Sequence, residues 1–113
     1  MARRIEQVNI LIQKEMGKIF LRELDFEKNI LVTITDVETS LNLQLTEIKI
    51  SVFPEKETKK ILEFLNKNIY NFQQKLNQRL KMRPVPKISF SIESRAQSAA
   101  KIEELLEKIK NEN

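Results

Sequence analysis

The apolar run Ile61, Leu62, Leu65, Ile69, Phe72, Leu76 and Leu80 constrains this chain most. Its members recur at helical spacing without interruption, so they predict one long amphipathic helix. The helix starts near Glu55–Lys56, where early acids suit a helix N-terminus. It ends by Met82, because Arg83 precedes Pro84 and is pushed out of the helical region. Drawn straight, it would be about 40 Å long at about 1.5 Å per residue. A compact domain of this size has a radius of gyration of about 13 Å. The helix is therefore expected to bend or break, although no Gly or Pro inside it marks the place.

The flanking segments say what the helix packs against. Ile5, Val8, Ile12, Met16 and Ile19, widened by Leu11 and Phe20, predict a first helix over roughly Arg3 to Leu24. Gly17 inside it costs about 1 kcal/mol relative to Ala. Ile30, Val32 and Ile34 alternate with Leu31, Thr33 and Thr35, which predicts a strand. After a turn at Ser40-Leu41-Asn42, alternation resumes from Gln44 to Phe53. Ile48, Ile50 and Val52 share one face; Glu47, Lys49 and Ser51 share the other. The two strands are expected to pair as an antiparallel hairpin ended by Pro54. Beyond Pro84 and Pro86, Ile88, Phe90 and Ile92 give a third strand, and Ile102, Leu105, Leu106 and Ile109 a short final helix. The expected class is α+β, a three-stranded sheet covered by helices, as a single domain over residues 1–113.

Composition removes whole classes of chemistry. The chain has no cysteine and no histidine. Disulfides, thiol catalysis and thiolate metal sites are excluded, and the commonest general base and metal ligand is missing. With Gly17 as its one glycine, the chain cannot build a P-loop, a dinucleotide fingerprint or the GxxG loop of a standard KH domain. Asp36, Glu38 and Glu47 are the clustered carboxylates, and they read as turn and strand-surface residues. The sequence thus predicts no enzyme, no metal and no cofactor. The start lacks an apolar signal core and no run is long enough to span a bilayer, so a cytoplasmic protein without a membrane partner is expected.

One stretch stands apart in charge. From Phe64 to Ile92 there is no Asp or Glu, while Lys67, Lys75, Arg79, Lys81, Arg83 and Lys87 are present. The net charge of the whole chain is only +4, so the clearing is local, as expected where a polyanion docks. Lys75, Arg79 and Arg83 are spaced to form a ridge of positive charge. Asn66, Asn68, Asn71, Gln73, Gln74, Asn77 and Gln78 interleave with them, and amides hydrogen-bond phosphates, sugars and bases. The competing reading is a solvated helix face. The sheet's expected outer face, Thr33, Thr35, Lys49, Ser89 and Ser91, lacks stacking aromatics, and Phe53, Phe64, Phe72 and Phe90 are assigned to the core. RNA contacts should then come mainly from phosphates and shape. Arg3 and Arg4 open the first helix against its dipole, a cost of about 0.3–1 kcal/mol that a ligand would offset.

These residues, in this order, resemble bacterial ribosome-binding factor A. The likeness runs from Arg4-Ile5 to Leu105-Leu106. Val32-Thr33-Ile34-Thr35-Asp36-Val37-Glu38 with Ser40 looks like that family's first strand and turn, and Ile48 to Val52 like its second strand. Leu80 to Arg83 with Val85-Pro86 and Phe90 looks like its basic segment before the last strand. The resemblance implies a type II KH-like fold, α-β-β-α-α-β. It also implies a non-enzymatic monomer that binds free or immature 30S subunits through 16S rRNA. Late maturation, 5′-end processing and growth in the cold belong to the same implied role. The family's two central helices meet at a kink with an Ala-x-Gly-like sequence, which here falls on Asn68-Ile69-Tyr70. Asn42, Glu93 and Ala99 also depart from the family's usual Asp, Asp and Gly. The RNA-binding residues expected here are Arg3, Arg4, Lys67, Asn68, Asn71, Lys75, Arg79, Lys81, Arg83 and Lys87. The alternative is a protein–protein adaptor whose basic helix meets an acidic partner.

Overall fold

The structure, a computed structural model, describes residues 2–24 and 29–93. Helix α1 (Ala2–Glu23) is followed by strands β1 (Leu31–Thr39) and β2 (Leu45–Phe53). A short 3-10 turn (Glu55–Glu57) leads into α2 (Thr58–Lys67), α3 (Ile69–Arg79) and β3 (Lys87–Ile92). This is the α-β-β-α-α-β order of the type II KH-like layout. The final helix expected around Ile102 to Ile109 lies outside the described residues.

The sheet order is β1-β2-β3, with β1 and β2 antiparallel and β2 and β3 parallel. The parallel pairing needs a crossover, and α2 and α3 supply it. All three helices cover one sheet face. Ile48, Ile50, Ile88 and Phe90 from the sheet meet Ile12, Met16, Ile19, Ile61, Leu65, Phe72, Leu76 and Leu80 from the helical side. Phe20, Phe72 and Phe90 form an aromatic triangle with centroids 5.7–5.9 Å apart. Two of its three pairs are edge-to-face, the arrangement the ring quadrupole favours.

Several expectations are corrected. Phe53 is 71% exposed, because Thr46, Ile48, Ile50 and Val52 take the inward positions of β2 and Phe53 falls on the opposite parity. Phe64 is only partly buried against the core, and Leu11 is exposed. β1 extends four residues past Thr35 and changes phase on the way. A register shift between Ile34 and Asp36 inserts one residue, so Val32 and Ile34 face inward before it and Val37 after it. Asp36 accepts the Val37 amide at 2.9 Å and steadies the bulge.

The hairpin turn works without glycine. Leu43 takes φ 60, the left-handed region that glycine usually fills. The Ser40 hydroxyl accepts the Leu45 amide at 3.1 Å, and the Asn42 side chain accepts the Gln44 amide at 3.1 Å.

The long helix does break, and the break falls at Asn68. Asn68 has φ -106 and ψ 20, and its side-chain amide donates to the Phe64 carbonyl at 2.9 Å. A side chain inserted into the helical ladder is a known cause of kinks. Asn68 alone links the two helices by backbone bonds: its N–H reaches Phe64 O at 3.1 Å and Phe72 N–H reaches its carbonyl at 3.2 Å, while Ile69, Tyr70 and Asn71 make no backbone bond to α2. Leu65 and Phe72, seven residues apart across the break, are both buried, so the apolar face of α2 continues into α3. α3 ends at Arg79 instead of Met82, because Leu80 is extended and buried, turning the chain toward Pro84 early.

Candidate nucleic-acid interface

The acid-free stretch occupies α3, the end of α2, and the loop into β3. Phe72 and Leu76 point α3 into the core, so the remaining positions divide between two flanks. One flank packs along α1; the other faces solvent.

The flank along α1 is neutralised from outside the stretch. The Lys75 ammonium sits 3.0 Å from Glu23, and the Arg79 guanidinium 3.2 Å from Glu15. Glu15 also pairs with Lys18 at 3.5 Å. Partial burial alone would raise the Glu15 pKa, but the Arg79 hydrogen bond and the Lys18 charge outweigh it and hold the carboxyl below its usual value. The expected uncompensated ridge of Lys75, Arg79 and Arg83 is thus corrected. The acids missing between Phe64 and Ile92 are supplied by a helix distant in sequence. The two ion pairs also fix α1 and α3 antiparallel, since the higher number on one pairs with the lower on the other.

Along this seam a cleft of about 310 Å³ is lined by Glu23, Phe64, Asn68, Asn71, Phe72 and Lys75. A second, of about 230 Å³, is lined by Ile19, Arg22, Glu23, Lys75, Gln78 and Arg79. Asn68, Asn71, Lys75 and Arg79 are therefore brought to one groove. Arg22, which the sequence reading passed over, joins them there. Asn68 contributes less than expected as a ligand group, because its amide is committed to the kink.

The loop beyond α3 is held in place by side chains. Arg83 donates to the Leu80 and Met82 carbonyls, both at 2.7 Å, so its guanidinium folds back on the helix end instead of reaching outward. Gln73 accepts the Ile88 amide at 2.8 Å and donates to the Pro86 carbonyl at 3.1 Å. It pins the start of β3 to α3, and nothing in a helical periodicity distinguishes it from the other amides nearby.

The remaining candidates do not converge on one ridge. Lys67 is exposed at the end of α2, and Lys81 just beyond α3. Lys87 is exposed on the sheet face away from the helices, beside Glu38, Glu47 and Ser89. Arg3 and Arg4 are exposed in the first turn of α1. None of these five forms an ion pair among the described residues. Glu38 and Glu47 are engaged with Lys49, at 3.5 and 3.9 Å. No group of acids able to hold a metal ion occurs among the described residues, and no described helix is long and apolar enough to cross a membrane.

Residues 4–106 match the family model described as ribosome-binding factor A. The ribosome-binding factor A of Halothermothrix orenii is 33% identical over 110 residues, covering 96% of this chain and 90% of that protein. That of Brevibacillus brevis is 34% identical over 110 residues, covering 96% and 91%. The crystal structure of ribosome-binding factor A from Thermus thermophilus superimposes with a TM-score of 0.65 at 18% identity, over 78% of this chain and 94% of that one. A homology model of the Thermus thermophilus factor, fitted into a cryo-EM map of its 30S complex, gives 0.59 at 19% identity, over 81% and 93%. The structural likenesses carry the fold; the sequence matches across nearly the whole chain carry the kinship. The chain belongs to the ribosome-binding factor A family.

Proposed function

We propose that this chain is a single-domain, monomeric assembly factor of the cytoplasm that binds free or immature 30S subunits through 16S rRNA. It assists late maturation and 5′-end processing, and it supports growth in the cold. The role is non-catalytic: binding favours one rRNA conformation, and the factor leaves when that conformation is complete, a shift of population without covalent chemistry. One observation carries the reading. The stretch that lacks acids in sequence presents exposed lysines at both ends of α3, Lys67 and Lys81, with no ion pair among the described residues. The relative fitted into a 30S complex supports the choice of subunit.

The ten residues named from sequence are proposed as the interface in graded roles. Lys67, Lys81, Lys87, Arg3 and Arg4 meet phosphates. Asn71 meets sugars or bases. Asn68, Lys75, Arg79 and Arg83 hold the surface in shape. Co-sedimentation of the full chain with 30S subunits tests this. Changing Lys67, Lys81 and Lys87 together to Glu should abolish pelleting while the circular dichroism spectrum stays native. Undiminished pelleting of that folded variant would overturn the reading. An acidic protein partner, not RNA, would be indicated if affinity for purified RNA were absent or flat in salt. Phosphate contacts instead impose a log–log slope of about −0.7 each on single strands.

A further inference from the structure

Resting on the RNA-binding reading, the geometry points to a second kind of contact on the solvent flank of α3. We propose that Tyr70, Asn71, Gln74 and Gln78, bracketed by Lys67 and Lys81, form a base-reading row for single-stranded RNA, with Tyr70 as its stacking platform. All six side chains are exposed. Tyr70 is 72% exposed, and its hydroxyl has no hydrogen-bond partner among the described residues. The positions follow helical spacing: Asn71, Gln74 and Gln78 are three and four residues apart and share a face, with Tyr70 beside them. Leu65 and Phe72 are buried on either side of the Asn68 kink, so Lys67, one turn before Asn71, continues the row. Within α3 the row from Tyr70 to Gln78 spans about 12 Å at about 1.5 Å per residue, and Lys81 lies just past the extended Leu80.

The chemistry of this row differs from that of a phosphate ridge. The charges sit at the two ends, and the middle offers three carboxamides and a ring. Carboxamides donate and accept at once, as base edges and sugar hydroxyls do. An exposed ring stacks on any base, which makes the contact tolerant of sequence. No carboxylate belongs to the row itself, and Glu23, which lines the seam clefts beside Asn71 and Gln78, is paired with Lys75. The neighbouring cations that would have made it a phosphate ridge, Lys75 and Arg79, are held by Glu23 and Glu15 on the other flank. The expectation that RNA contacts are mainly phosphate and shape is therefore replaced, on this flank, by base contact.

The chain carries its own reporter. Tyr70 is the one tyrosine and there is no tryptophan, so tyrosine emission of the full chain arises from this ring alone. The probe is an oligoadenylate of about twelve nucleotides, which a sequence-tolerant platform accepts. Inorganic polyphosphate of equal charge is the control. Oligoadenylate should quench the emission and polyphosphate should not. By anisotropy with labelled RNA, Tyr70→Phe should bind as the wild type does. Tyr70→Ala should lose about tenfold in affinity with its salt slope unchanged. Lys67→Gln with Lys81→Gln should do the converse, flattening the slope by about 1.4. RNA binding without quenching, equal quenching by polyphosphate, or wild-type affinity in Tyr70→Ala would overturn the row and leave RNA binding standing. No binding of oligoadenylate by the wild type at low salt would overturn the row, whereas failure of the wild type to pellet with 30S subunits, or undiminished pelleting of the triple Glu variant, is what tells against the parent reading.

Discussion

The two flanks of α3 come from the same stretch of chain and end up opposite in character. On the α1 side, Lys75 and Arg79 meet Glu23 and Glu15 and act as structural fasteners. On the solvent side, Lys67 and Lys81 form no ion pair among the described residues, and Tyr70, Asn71, Gln74 and Gln78 are exposed, with Asn71 and Gln78 bordering the seam clefts. Fifteen positions, residues 67–81, thus yield a seam and a surface. The lesson is that a cation's role is set by which elements lie within reach in three dimensions, not by its neighbours in sequence.

Changes to the shared core should erase both flanks together. Phe72→Ala removes one corner of the aromatic triangle and should cost about 3–5 kcal/mol, read from urea unfolding. Next in size is Gln73→Leu, which leaves the Ile88 amide and the Pro86 carbonyl without partners. About 2 kcal/mol is expected, together with faster hydrogen exchange at the Ile88 amide. If stability is unchanged, the loop before β3 is held by something other than this side chain.

Charge changes should separate the flanks. Lys67→Glu with Lys81→Glu should weaken RNA binding by about tenfold at low salt with little change in melting temperature. Lys75→Gln should alter stability by under about 1 kcal/mol, because its pair with Glu23 is solvent-exposed, and should affect binding less. Reversal of these outcomes in filter binding would exchange the roles of seam and surface.

Gly17→Ala is the control that should touch neither flank. A Cβ there would meet nothing within 4 Å, so the helix should gain about 0.5–1 kcal/mol with unchanged RNA affinity. The smallest effect concerns acid. The folded-state pKa of Glu15 lies below its unfolded value, so its contribution is present above the unfolded pKa and is lost as pH falls through the folded pKa. Glu15→Gln should therefore narrow the difference in stability between neutral and acidic pH. An identical pH profile in the variant would show that the pairing with Arg79 does not matter energetically.

Much of the fold was legible from periodicity. The stripe Leu65, Phe72, Leu76 and Leu80 is buried as its spacing requires, and Ile48, Ile50 and Val52 share the inner sheet face. Phe53 was misassigned only because its parity was ignored. The phase change between Ile34 and Val37 was also present in the pattern, as an odd step between inward residues. The kink at Asn68 was located by resemblance, since a side-chain bond to a carbonyl leaves no trace in hydropathy. The candidate site was least legible. A window count is one-dimensional, and Glu15 lies 64 residues from the arginine it neutralises. Gln74 and Gln78 were visible among the amides that interleave with the cations, whereas Tyr70, uncharged and at the kink, carried no signal of its own.

Both borders of the sheet are guarded by different means. β1 is one border, and its inserted residue disturbs the row of hydrogen-bonding groups it shows to solvent. β3 is the other, and there the Gln73 carboxamide takes the Ile88 amide and the Pro86 carbonyl much as a neighbouring strand would. A straight, unoccupied border invites another copy to add on and begin a fibre. Distortion at one border and imitation at the other both work against such addition.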